Sequence, residues 1–308
     1  MFSALSKAAV AAAAAVLVCG PVHAGVRAFV ASTGNDANTA SSCSPATPCR
    51  SFTAAMSVVD AGGEIVALDA AGYGAVTVTK SVTITANPGF YAGVAASSGS
   101  AVTIATNNVT VVLRGLNITN TNAADYGINM TSGSKLVIEN CVISKFGQYG
   151  VSVTSTAQVR IADSSISENN NGVFLSNGAN ATVTGSRFSG SESGDGGLIV
   201  DGSVAGKTTR AAVSDSVFSG NFSGVFVCAT DGASKLSVTR STLVNNGYGV
   251  IANGCGGGES VTVSNNLITG NSLAGLSNNG GTFLSLGNNT GSQNGAETSG
   301  TITPTGGF

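Results

Sequence analysis

The chain has 308 residues, 9 % of them charged, with 13 Lys and Arg against 15 Asp and Glu and a net charge of −2. A weakly acidic chain without a basic run lacks the cations that hold nucleic acid through its phosphates. There is no Trp, and His23 is the sole histidine.

Residues 1–24 read as a signal peptide. Lys7 supplies the positive start, Ala8 to Val18 form an apolar run too short to span a bilayer, and Val22-His23-Ala24 places cleavage after Ala24. Cys19 raises a lipid-anchored variant, which Val18 disfavours because such a signal needs a small residue there. Cleavage leaves 13 − 1 = 12 basic residues against 15 acidic, a net charge near −3, and removes His23. Ser–His and Cys–His catalytic pairs and His-ligated metal sites are then excluded. No second apolar run follows, so the expectation is a secreted or periplasmic protein without a membrane span.

Next in the chain, Cys43 and Cys49 bracket a Pro-containing loop and are expected to form a disulfide in an exported protein. Phe52, Ala55, Met56 and Val59 fall at helical spacing, with Ser51 to cap the helix and Gly62 to end it. Laid over the first coil, this helix would cover an apolar end, as the terminal units of repeat proteins must.

From there a repeat takes over. Apolar residues recur at Ile118, Ile143, Ile166, Phe188, Phe218, Leu243 and Ile268, at spacings of 25, 23, 22, 30, 25 and 25. Five residues before each stands another (Leu113, Ile138, Ile161, Val183, Val213, Val238, Val263), and seven before, a third series runs from Val111 to Val261. Positions −7 and −5 share one face of a strand, and positions −2 and 0 share a face of the next. A third strand follows in each unit, opened by Gly127, Gly150, Gly172, Gly197, Gly224, Gly249 and Gly275. Three short strands per unit of this length predict an all-β parallel β-helix, one domain over 25–308, with a cap and lead-in over 25–80, coils over 81–290 and a tail over 291–308. Asn169, Asn221, Asn246 and Asn271 fall three residues after the core series and predict an amide ladder at the turn. Cys141 sits inward, as a buried free thiol, while Cys228 and Cys255 occupy successive long connections (228–234 and 253–259) and predict a disulfide between neighbouring coils.

At this point the chain resembles the pectate-lyase-like superfamily of right-handed β-helices, in particular its secreted bacterial members of uncharacterised activity. The resemblance rests on the segments Arg27 to Gly34, Ser51 to Val59, Ala67 to Gly74 and Ser81 to Thr85 together with the coils. It implies a right-handed three-sheet coil whose −8 to −4 strands form the ligand-bearing sheet.

The outward side chains of that sheet include Arg114, Lys135, Arg160, Arg210 and Lys235, with Glu139 its only acid. Asp163, Asp215 and Arg240 stand just beyond, at position −3. Calcium takes about 6–8 oxygen ligands, which this face does not assemble; the acidic insertion at 191–196 offers calcium a lesser place and reads as a solvated loop. The family's polygalacturonase motifs (Asn-Thr-Asp, Asp-Asp, Gly-His-Gly, Arg-Ile-Lys) are absent, as are the later motifs of pectin methylesterases. The weak catalytic candidates are Arg160 or Arg210 with Asp163 and Asp215; ion pairing of Asp215 with Arg240 is the competing structural reading. Tyr126 and Tyr149, in adjacent coils, read as packing against each other rather than as a sugar platform. The expected role is binding of a polysaccharide or cell-surface glycan along the long side, with no assignable activity. A polysaccharide lyase or glycoside hydrolase is the alternative, and a structural surface or adhesion module the third.

Overall fold

The computed structural model describes residues 27–191 and 193–306. The expected signal peptide, with Lys7, Cys19 and His23, lies outside the described residues.

The chain winds into a parallel solenoid with three sheets. The first sheet has twelve strands in chain order, from Arg27–Val30 through Thr110–Arg114, Lys135–Glu139, Gln158–Ala162, Asn180–Thr184, Thr208–Ser214, Ala233–Thr239 and Glu259–Ser264 to Thr303–Thr305. Every pairing is parallel, and Thr110, Lys135, Gln158, Asn180, Arg210, Lys235 and Ser260 stand side by side. That is the register read from the apolar series. A slip of one residue would turn Leu113, Ile138 and Val183 out to water, so burial itself fixes the alignment.

A second sheet of three-residue strands (Val142–Ser144, Ser165–Ser167, Arg187–Ser189 and their successors) and a third beginning at the glycine positions complete each coil. In two coils the long strands Ala92–Ile104 and Leu116–Met130 run through both sheets, with a register shift where the later coils turn. The inward rows meet along the axis: Ile118, Ile143, Ile166, Phe188, Phe218 and Leu243 are all fully buried. Phe188 and Phe218 stack at 4.6 Å between centroids. Neighbouring strands lie about 4.8 Å apart, so each residue of a row touches its counterpart above and below.

Two polar ladders line the turns. Asn221, Asn246 and Asn271 link amide to amide and continue to Asn294, each side chain also donating to a backbone carbonyl (Asn246 Nδ2 to Phe218, 3.1 Å). Asn169 stands apart, because Ser191 holds the place between it and Asn221. The second ladder occupies position −2, where Ser164, Ser186, Ser216, Ser241 and Asn266 each accept from the backbone N–H one coil below.

The helix Phe52–Val58, capped by Ser51 accepting from the Ala54 N–H, buries Phe52, Ala55 and Met56 over the first coils. Coils extend beyond 81–290 on both sides: Arg27–Val30 and Gly63–Ala67 already belong to the first sheet, and Thr290–Ser292, Thr298–Gly300 and Thr303–Thr305 complete a further turn. The segment expected as a tail therefore continues the coil through Thr305. Cys43 pairs with Cys49 and Cys228 with Cys255, while Cys141 is a buried free thiol. Burial pushes the Cys141 thiol up to about 11.

Candidate functional site

The outer face of the first sheet takes its side chains from positions −8, −6 and −4, which the pleat turns away from the core. Arg210 and Lys235 are direct cross-strand neighbours there, flanked by Asn180 on one side and Ser260 on the other. With Ala212, Ser237 and Thr262 they line an open hollow of about 310 Å³. Arg210 donates to the Thr208 carbonyl at 3.2 Å, and neither it nor Lys235 has a carboxylate partner among the described residues.

Beside these two cations rise the connections that feed their strands. The loops 201–209, 228–234 and 253–259 stack through backbone bonds, Gly202 N–H to Cys228 and Gly232 N–H to Gly202, both 2.8 Å. The Cys228–Cys255 bridge ties the second loop to the third. Glu259, buried and missed in the sequence reading, accepts from the N–H of Ala229 (3.0 Å) and of Cys255 (2.9 Å), so one carboxylate organises both loops. Its sequence signal was slight: an acid closing a Gly-Gly-Gly run just before a strand.

Lower on the same face, Glu139 lies between two arginines. Arg114 Nε donates to it at 2.6 Å, and Arg160 also bonds it. The hydrogen bond from Arg114, reinforced by both guanidinium charges, holds the Glu139 carboxyl below the usual carboxylate range. Five cations thus stand on six successive strands with one acid among them, and that acid is already shared.

The sequence-predicted carboxylates behave differently. Position −3 is a column of left-handed residues: Gly115, Asn140, Asp163, Gly185, Asp215, Arg240 and Asn265 all have φ between 47° and 67°. Gly, Asn and Asp favour that conformation, so the turn into the second sheet itself accounts for Asp163 and Asp215. Asp215 accepts two hydrogen bonds from Arg240, both 2.9 Å, which lower its carboxyl below the ordinary range. Asp163 has its Oδ1 over Gly185, where a Cβ would come within 2.5 Å of it.

Arg210 at −8 and the aspartates at −3 sit at opposite ends of the strands, roughly 16 Å apart along them. Arg160 is nearer but engaged by Glu139. The structure does not bring the four catalytic candidates together. Among the described residues no three His, Cys, Asp or Glu converge to hold a metal ion, and Glu192 of the acidic insertion lies outside them. Tyr126 and Tyr149 stack at 6.1 Å, and Phe174 joins them at 5.0 Å from Tyr149.

A parallel three-sheet coil with a polar outer face defines a solenoid of the β-helix class. The family model described as right handed beta helix region matches residues 100–257, just over half the chain, and the protein belongs to that family. A search of curated proteins returns no match. Among solved structures the chain is similar to the crystal structure of pectate lyase Pel9A, at 15 % identity and a TM-score of 0.55, covering 92 % of this chain and 78 % of that one. It is also similar to a rhamnogalacturonan lyase, at 11 % identity and a TM-score of 0.43, covering 85 % and 74 %. The first likeness is one of fold, and the second is too loose to argue from. No helix among the described residues is long and apolar enough to cross a membrane.

Proposed function

We propose that this protein binds an acidic polysaccharide lengthwise on the outer face of its first sheet, after export from the cytoplasm. The supporting observation is the set of cations on this face from Arg114 to Lys235, with Arg210 and Lys235 adjacent and without carboxylate partners among the described residues. One coil step is close to the length of one pyranose residue, so a polyuronate lying along the axis sets successive carboxylates over Arg210 and Lys235. Exposed cations on a flat face act as weak sites in series, each screened by salt. The two disulfides suit an oxidising compartment.

The test is calorimetric titration of polygalacturonate and of a neutral glucan. Tight binding of the first alone is expected, weakening as salt rises, with the double variant Arg210→Ala/Lys235→Ala losing on the order of tenfold in affinity. Equal affinity for both polymers, or a double variant that binds like wild type, rejects the reading.

A lyase or hydrolase working through Arg160 or Arg210 with Asp163 and Asp215 is the rival, favoured only by Arg210, which pairs with no carboxylate among the described residues. Unsaturated or reducing-end product that disappears in Asp163→Ala would establish it. A glycan array without binding would leave the structural module.

A further inference from the structure

The turn from the first sheet to the second is short almost everywhere. It is Gly115 alone after Thr110–Arg114, and the pair Asn140 and Cys141 after Lys135–Glu139, with later coils alike. After Val82–Ala86 it is not: residues 87–91, Asn-Pro-Gly-Phe-Tyr, project before Ala92–Ile104 begins. The projection raises Phe90, 41 % exposed, over a hollow of about 520 Å³.

That hollow opens onto the outer face of the first sheet. Thr85 and Arg114, cross-strand partners on that face, form its near wall, and Gly115 its floor. A Cβ at Gly115 would stand 2.9 Å from the Ala86 carbonyl oxygen, so the floor stays open only with glycine. Asn87, Asn117 and Asn140 line it, and none of the three has a side-chain hydrogen bond to another described residue. Arg114 engages Glu139 through Nε, which leaves its terminal nitrogens without an acceptor there. An exposed aromatic ring, three amides without side-chain hydrogen bonds and the free half of a guanidinium fork meet around one hollow.

We propose that this hollow is a subsite for a single hexuronate residue, seating one end of the chain that lies along the sheet. The ring's C–H face would pack on Phe90, its carboxylate would take the Arg114 Nη atoms, and its hydroxyls the asparagine amides. The inference rests on the reading that the ligand is an acidic polysaccharide, and it adds what that reading lacks, a place where the chain's register begins.

Calorimetry with trigalacturonate and with polygalacturonate separates the two ideas. Phe90→Ala is expected to lower affinity for the trisaccharide about fivefold, with Phe90→Trp restoring it and melting temperature unchanged in both. Arg210→Ala/Lys235→Ala is expected to keep trisaccharide binding while losing affinity for the polymer. Should Phe90→Ala bind both ligands as wild type does, the subsite is overturned and the sheet face stands. If instead the polymer ignores Arg210 and Lys235 yet needs Phe90, the sheet face falls and the subsite stands. Wild-type protein that binds neither ligand overturns both.

Discussion

Asn246 shows what one side chain holds in this coil. Its Oδ1 accepts from the backbone N–H and the amide of Asn221, and its Nδ2 donates to Phe218 and to Asn271. An alanine there strands the Phe218 carbonyl and two Asn221 donors in a buried turn, where each unsatisfied group costs about 1–3 kcal/mol. Asn246→Ala is therefore expected to destabilise the protein by about 3 kcal/mol, seen as a lower urea midpoint at unchanged slope. This ladder was legible because four asparagines kept one register in the sequence. Its extension to Asn294 was not, since Gly291 occupies the apolar core position of that coil and hides the period. The serine ladder was also missed. Position −2 reads as the inner face of a strand, Leu116 and Cys141 fit that reading, and only the recurrence of serine in four later coils betrays a turn. Asp163 and Asp215 misled in the opposite direction: aspartate at a left-handed turn looks, in one dimension, like a carboxylate spaced for chemistry.

Among elements, the three stacked loops are held differently from the strands beneath them. They have no inward apolar row, and depend on backbone bonds, the Cys228–Cys255 bridge and the buried carboxylate of Glu259. Closing a segment with a separation of 27 residues restricts the unfolded chain by about 3.5 kcal/mol. The double variant Cys228→Ser/Cys255→Ser is accordingly expected to lose about that much in urea unfolding. The bridge and the loops' stacking were both readable from sequence, through cysteines in successive long connections. The role of Glu259 was not, because a buried acid whose Oε1 accepts from main-chain N–H groups leaves no pattern of residue types.

For the whole molecule, the ends matter most, since every interior coil is covered by its neighbours. At the N-terminal end the helix Phe52–Val58 does the covering, and Phe52 packs fully buried against Tyr73 at 5.1 Å. Phe52→Ala is expected to cost about 4 kcal/mol and to produce higher oligomers in size-exclusion chromatography as the coil end is bared. The helix was plain from its spacing. The coils on either side of it were not, because Arg27–Val30 and Gly63–Ala67 lie too far apart in sequence to show a repeat, yet pair directly in space.

The glycines that open the third strands have a consequence for how the protein tolerates change. A Cβ at Gly127, Gly172 or Gly249 would come within 2.1–2.4 Å of the carbonyl oxygen of the glycine one storey away. That corner is a seam where main chain rests on main chain with no room for a shim. Sequence drift can roam the painted outer walls of this tower, but along the seam even one methyl group would pry two floors apart.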